Sequence, residues 1–324
     1  MVIQPPIQQD ISPARTRPMN NQDLDRYRAA ESELWDRYGV TPTERFIPLP
    51  SFNNLRVRVQ EIGEGEPVLF VHGSPNAGSK WAPLAARLSG FRCLLLDRPG
   101  CGLSDAVDYR GLDLRQFGAD LLTQTLDGLG LPRVKLVASS IGGALAFYFT
   151  YAHPERVERL VQEGCPAFVR GFRVPFYNLL SSAQSLVFHR SPPSLSAFRQ
   201  LGHAAGIDSG RFAAEVLVWR DALLKHTPTL HNEDRLNSNI ARRSRAYAIG
   251  AELEQIATPT LYLWGEDDPF GGVEVGRRCA AAQPHAVLRT FPLSGHLPWL
   301  DDPDTHARLI RAFLHGEALP DKGE

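Results

Sequence analysis

The chain reads as an α/β protein: a mostly parallel, eight-stranded sheet flanked by helices, with a helical cap inserted after the sixth strand. Three observations predict this. Short apolar runs recur along the chain, and from residue 81 onward they alternate with helix-period stretches, the pattern of a parallel sheet buried on both faces. The alternation stops between about residues 168 and 253, where helical stretches follow one another without a convincing strand, and then resumes. The length, 324 residues at 43% hydrophobic, suffices for one large core carrying an insertion.

The elements follow in order. Residues 1–20, rich in Pro and Gln, read as a mobile arm. A helix over 23–38 places Leu24, Tyr27, Leu34, Trp35 and Tyr38 on one side and stops at Gly39. Packing on the main domain is its simplest role; a homodimer contact or a wall of the active-site entrance is the alternative. Strands 44–49 and 55–62 read as a pair, the second alternating Leu55, Val57 and Val59 with Arg56, Arg58 and Gln60. The turn 63–67 leads into a fully apolar strand, 68–71. Helix 81–88, strand 93–96, helix 112–128, strand 134–138, helix 144–152 and strand 157–162 come next. Within the insertion, 176–187, 194–203 and 212–224 are helical in pattern. Strands 260–264 and 286–291 and helix 305–315 close the chain. The predicted division is an arm and helix (1–43), a core (44–167 and 254–324) and a helical cap (168–253). A cap so placed covers the carboxyl ends of the strands, the edge where open α/β sheets hold ligands.

Composition removes several function classes. With 35 basic and 36 acidic residues the formal charge is −1, so no global field recruits nucleic acid or an anionic membrane. The cluster Arg242-Arg243-Ser244-Arg245 is short and reads as a solvated helix face. No apolar run approaches the ~18 residues needed to span a bilayer. The first twenty residues lack the apolar stretch of a secretory signal. Cys93, Cys101, Cys165 and Cys279 are scattered, as reduced thiols in a cytoplasmic protein would be. With no metal cluster and no dinucleotide fingerprint, no cofactor is implied and a small-molecule substrate is expected.

The chemistry concentrates in Leu136-Val137-Ala138-Ser139-Ser140-Ile141-Gly142-Gly143, an apolar strand that runs into a small-Ser-x-Gly turn and a helix. Ser140 sits at the tip, and Gly142 lets the helix approach the strand. A serine hydroxyl attacks at neutral pH only when an imidazole takes its proton. That imidazole needs a carboxylate to fix its tautomer and stabilise its charged form. His296, in Ser294-Gly295-His296-Leu297-Pro298-Trp299, follows the last strand; Glu266, Asp267 and Asp268 follow the strand before it. All lie on loops at the same sheet edge as Ser140.

The Ala138-Ser139-Ser140-Ile141-Gly142 turn resembles the nucleophile elbow of the α/β-hydrolase superfamily, with Ala138 in place of the usual first Gly. The His72-Gly73-Ser74-Pro75 loop and the Asp97-Arg98-Pro99-Gly100-Cys101-Gly102-Leu103-Ser104-Asp105 segment resemble the same superfamily, and the resemblance covers roughly residues 44–316. It implies the chain order Ser, acid, His. It selects Asp268, three residues past the strand-end Gly265, over Asp267. It also implies an oxyanion hole from the backbone N–H groups of Ser74 and Ile141. His72 is expected to brace that loop. Ser139 stands where relatives often carry a bulky His or Trp, and Cys101 where an aromatic is common. Cys101 is expected to be a packed residue.

Relatives that open epoxides or remove halides attack with an aspartate at the elbow; Ser140 points instead to acyl transfer. The leading expectation is hydrolysis of a hydrophobic, non-ionic ester or lactone through an acyl-enzyme. Carbon–carbon bond hydrolysis of a diketone-like compound, which the chain also resembles, is the alternative; a cofactor-free cyclase or lyase and a ligand receptor use the same fold. Trp299, Ser139 and Trp219 are candidate substrate-binding residues, and Phe168, Phe172, Phe176, Tyr177, Phe188, Phe198 and Phe212 supply further apolar surface in the cap. Arg173, Arg190 and Arg220 are candidates to bind a substrate carboxylate, but solvated positions are the favoured reading.

Overall fold

The computed structural model describes residues 19–174 and 195–320. The predicted helix 176–187, with Phe176, Tyr177, Phe188 and Arg190, lies outside the described residues. Eight strands form one sheet: β1 (Thr43–Leu49), β2 (Leu55–Ile62), β3 (Glu66–Val71), β4 (Phe91–Leu96), β5 (Val134–Ser139), β6 (Val157–Glu163), β7 (Thr260–Gly265) and β8 (Ala286–Phe291). Their order is β1-β2-β4-β3-β5-β6-β7-β8. β2 runs antiparallel to β1 and β4, and every other neighbouring pair is parallel. Parallel pairing aligns the carboxyl ends: Val71 lies opposite Ala138, Ser139 opposite Glu163, and Gly265 opposite Phe291.

The helices that cover the sheet form for local reasons. Leu114–Leu129 begins at Asp113, whose carboxylate accepts from the backbone N–H of Arg115, and ends at Gly130 in the left-handed region (φ 72°). It buries Phe117, Leu121, Leu122 and Leu126. Gly118 lets it lie close to the Ser140–Ala152 helix, since a Cβ there would sit 2.9 Å from Leu145 Cδ2. Pro303–His315 starts at Asp302, whose side chain accepts from Thr305 N, and buries Leu309, Ile310 and Phe313.

The N-terminal helix, Asn21–Asp36, docks on its own chain. Glu31, buried, takes two bonds from the Arg58 guanidinium (3.0 and 2.6 Å) and one from Ser79 Oγ (2.7 Å). Asp23 meets His226 Nδ1 at 2.8 Å, and Tyr38 Oη bonds Glu215, so the same segment also ties to the insertion.

The insertion between β6 and β7 contains the helices Val216–His226 and Thr229–Arg243 and the short segments Leu195–Phe198, Ala204–Asp208 and Glu252–Gln255. Two helices exceed the sequence expectation, Thr229–Arg243 and Val273–Ala282. Another is shorter: the stretch expected over 81–88 is a tight turn, Gly78–Trp81, followed by Ala82–Ala85. Pro83 stands in the first turn of that second piece, where its missing N–H costs nothing. None of the helices among the described residues is long and apolar enough to cross a membrane.

Candidate active site

Ser140 is the first residue past β5, with φ at +53°, a left-handed conformation that a non-glycine residue adopts at a cost of order 1–3 kcal/mol. The turn is tight on all sides. A Cβ on Gly142 would lie 2.2 Å from the Val71 carbonyl oxygen, and one on Gly73 would lie 2.8 Å from Ser140 Cβ. Only glycine permits β3, its following loop and the new helix to meet there. Ile141 occupies the first turn of that helix, where backbone N–H groups have no acceptor within the helix.

The loop after β6 links this turn to the acid and the imidazole. Ala167 N donates to the Ser140 carbonyl (2.9 Å), and Cys165 N donates to Asp268 Oδ2 (2.8 Å). The same Oδ2 is 2.8 Å from His296 Nδ1, and Asp268 Oδ1 accepts from Phe270 N (2.9 Å). Asp268 and His296 are each 4% exposed, whereas Glu266 and Asp267 are exposed. Three adjacent acids are thus separated by burial, and only Asp268 reaches the ring. Gly265 makes this possible: a Cβ there would lie 2.1 Å from the Gly295 carbonyl oxygen, so the loops after β7 and β8 run in contact. With Nδ1–H donated to Asp268, Nε2 of His296 is left as a base.

Opposite lies the loop after β3. His72, fully buried, accepts the Arg98 backbone N–H at Nε2 (3.1 Å) and donates from Nδ1 to the Gly73 carbonyl (2.7 Å). The acceptor role at Nε2 requires the neutral ring. Burial, with the Arg98 charge beside it, pushes its pKa well below the usual 6.5. Arg98 Nε donates to His72 O (3.0 Å) and Nη2 to Gly73 O (3.2 Å). His72 therefore braces the loop that presents Ser74. Glu233 of the Thr229–Arg243 helix completes the bracket, accepting from Arg98 Nη2 (2.6 Å), Ser74 Oγ and Cys101 Sγ (3.1 Å). Cys101 is fully buried, and burial and Glu233 push its thiol well above the usual 9.0, so it packs as expected and is no thiolate nucleophile.

The candidate substrate-binding residues are all buried. Trp299 stacks on Trp81 at 4.2 Å within the apolar core, and Trp219 is fully buried in the same cluster. Ser139 is buried at the end of β5. Of the aromatic residues, Phe172 and Phe270 stack at 5.7 Å, and the Phe270 ring lies 4.3 Å from that of His296.

Sequence reasoning missed two cations. Arg220, read as solvated, is only 9% exposed, and Lys80 is 1% exposed. Lys80 Nζ lies 4.5 Å and the Arg220 guanidinium 5.2 Å from the centroid of one ring, Phe198. Lys80 Nζ has no hydrogen-bond partner, and no carboxylate among the described residues pairs with either cation. Burial, with Arg220 nearby, pulls the Lys80 amine well below its usual 10.5, and burial lowers Arg220 to about 10. The Phe198 ring that both cations face lies 6.0 Å from the His203 ring, whose Nε2 accepts the Leu297 N–H, so the cations lie on the side of the loop that carries His296. No local signal marks them, because their burial depends on contact between segments some 140 residues apart.

Comparison with known proteins agrees with this geometry. The family model for the alpha/beta hydrolase fold matches residues 66–303. The chain belongs to that family. Among relatives, the 2-hydroxy-6-oxo-6-phenylhexa-2,4-dienoate hydrolase of Burkholderia cepacia is 29% identical over 286 residues, covering 84% of this chain and 96% of that protein. The 2-hydroxy-6-oxononadienedioate/2-hydroxy-6-oxononatrienedioate hydrolase of Comamonas testosteroni is 28% identical over 283 residues, covering 84% and 96%. The naproxen esterase (carboxylesterase NP) of Bacillus subtilis shares the fold, with a TM-score of 0.71 at 18% identity over 92% of this chain and 100% of that one. This member of the α/β-hydrolase family is a hydrolase.

Proposed function

We propose that this hydrolase cleaves a carbon–carbon bond in a small oxo acid, with Ser140, Asp268 and His296 as a catalytic triad and residues 168–253 as the cap that closes over its substrate. The observation that carries the reading is the pair of buried cations for which no carboxylate among the described residues serves as partner. A charge held out of water is expensive unless paired, and here a substrate carboxylate is the natural partner for Lys80 and Arg220. The sequence favoured a non-ionic ester or lactone; the cations argue for an anion. The named relatives act on dienoates and dienedioates, which are carboxylates.

In this mechanism His296 Nε2 takes the Ser140 proton while Oγ adds to the substrate's oxo carbon. The oxyanion rests on the N–H groups of Ser74 and Ile141. Before the addition the substrate shifts to its 2-oxo tautomer, the enol proton moving to C5; after it the carbon–carbon bond breaks with its electrons entering the adjacent enone as a dienolate, and His296 returns the proton to the leaving fragment. Water, activated by the same imidazole, releases the acyl group from Ser140. Ester hydrolysis needs the same parts without the carboxylate anchor.

The test compares 2-hydroxy-6-oxo-6-phenylhexa-2,4-dienoate with 4-nitrophenyl acetate on wild type and Ser140→Ala, alongside labelling by a fluorophosphonate. The expected result is faster dienoate cleavage by wild type, with both activities and the label lost in the variant. Ester turnover with an untouched dienoate would make the protein a carboxylesterase. An unlabelled wild type would remove Ser140 as nucleophile.

A further inference from the structure

A second imidazole–carboxylate pair stands behind the first. His203, from the turn Arg199–His203 of the insertion, is fully buried between Phe198 and Phe212, with ring centroids at 6.0 and 5.5 Å. Its Nδ1 is 2.7 Å from Asp301 Oδ2, and its Nε2 accepts the backbone N–H of Leu297 at 3.2 Å. Leu297 is the residue after His296. The same Asp301 oxygen also accepts from Ser294 Oγ (2.7 Å) and Gly295 N (3.3 Å). Two residues before His203, the Leu201 carbonyl accepts the backbone N–H of His296 itself at 2.8 Å. Between them Gly202, at φ 88°, lies so close that a Cβ would be 2.9 Å from Gly295 Cα. The loop 294–297 is thus held along its length by one short stretch of the insertion and by Asp301.

We propose that His203 is a positioning residue for His296: fixed by Asp301, it accepts the Leu297 N–H and holds the base loop in catalytic register. The inference rests on His296 being the general base. The acceptor role demands a neutral ring, because a protonated imidazole offers a donor at Nε2 and repels the N–H it now receives. The groups facing His203 are Asp301, which favours protonation, and Lys80 and His296, which oppose it together with burial; the net effect is a pKa below the usual 6.5.

The experiment uses 4-nitrophenyl acetate turnover, fluorophosphonate labelling and thermal unfolding of the full chain. His203→Ala removes the acceptor and should lower kcat about 10- to 100-fold with little change in KM, as expected when a base is misplaced by a fraction of an ångström. His203→Gln supplies a non-titrating acceptor near the Nε2 position and should recover most of that loss. Its acid limb should fall with the first power of proton concentration, where wild type approaches the second power because two imidazoles must stay neutral. If His203→Ala does not fold, Asp301→Asn, which leaves His203 without its charged anchor, should lower kcat while preserving KM. A labelled, active wild type whose variants keep full kcat, or a Gln variant as impaired as Ala at equal stability, overturns the inference alone. A wild type that neither labels nor turns over ester removes the base assignment, and this inference with it.

Discussion

Replacing Lys80 with Met separates the stability of the fold from its choice of substrate. The Lys80 side chain is buried with its amine over the Phe198 ring, so Met fills nearly the same volume and deletes only the amine, which has no hydrogen-bond partner among the described residues. Burying a polar group without a hydrogen bond costs roughly 1–3 kcal/mol on mutational scales. The substitution should therefore raise the stability of the free protein by about that much, or Tm by about 2–6 °C at roughly 2 °C per kcal/mol for a chain of this size. The same change should weaken an oxo-acid substrate. A charge-assisted hydrogen bond contributes about 1.5–3 kcal/mol, equivalent to a roughly 10- to 150-fold loss of kcat/KM. A neutral ester, which makes no such bond, should keep its rate within a few-fold. The sign of the pH effect follows from the lowered amine pKa: the anion favours the ammonium form, whose fraction falls as pH rises, so KM for the dienoate should climb with pH in wild type and stay flatter in Lys80→Met. Calorimetric unfolding and paired kinetics on the two substrates measure all three. A variant that is less stable, or that loses both substrates equally, would refute the reasoning, because either result means the amine serves the fold.

Glu233→Ala should destabilise the protein by about 3–5 kcal/mol in urea unfolding, since it strands the fully buried Arg98 charge, and Glu233→Gln should cost distinctly less; equal midpoints for Ala and wild type would mean the pair contributes nothing. Stability should also respond to acid. His72 and His203 are held neutral in the fold, with pKa values below 6.5, so beneath pH 6.5 the unfolded chain binds more protons and stability falls with pH toward the folded values. Each contributes a slope of up to about 1.4 kcal/mol per pH unit, and His203→Gln should remove one share; identical slopes in urea titrations of variant and wild type would count against a neutral His203.

The parts of the site that were legible in the sequence are those built by one or two adjacent turns. Ser140 could be read because its neighbours must be small: Gly142 faces the Val71 carbonyl, and Gly73 touches Ser140 itself. The eight strands were legible because the inner ones are short and apolar and β2 alternates apolar with polar residues, with boundaries within two residues of those expected. Asp268 needed the family's spacing, since nothing local distinguishes it from the exposed Asp267. The helix Thr229–Arg243 was invisible to hydrophobic periodicity for a physical reason. Its buried face is polar: Thr229, Asn232, Glu233 and Asn239, joined only by Leu236, bond to the loops of the core. For Trp219 and Trp299 the sequence leaves both core and pocket roles open, because large aromatics serve both; in the structure both are buried and Trp299 stacks on Trp81.

What the sequence hid has a common origin. Glu233, His203 and Arg220 all belong to the insertion, and each is buried against a different part of the core: Glu233 on the Ser74 loop, His203 on the His296 loop, and Arg220 with Lys80 around Phe198. An insertion that merely covered a cleft would meet the core through apolar contact and surface charge. This one places a carboxylate, an imidazole and a guanidinium where water is excluded; core groups answer the first two, and no carboxylate among the described residues pairs with the third. Buried ionic groups add little net stability when paired and cost it when alone. Their placement is therefore better explained by alignment and selection than by holding the domains together. On the proposed reading, Arg220 and Lys80 mark the side on which an anionic substrate brings a charge that no carboxylate among the described residues supplies.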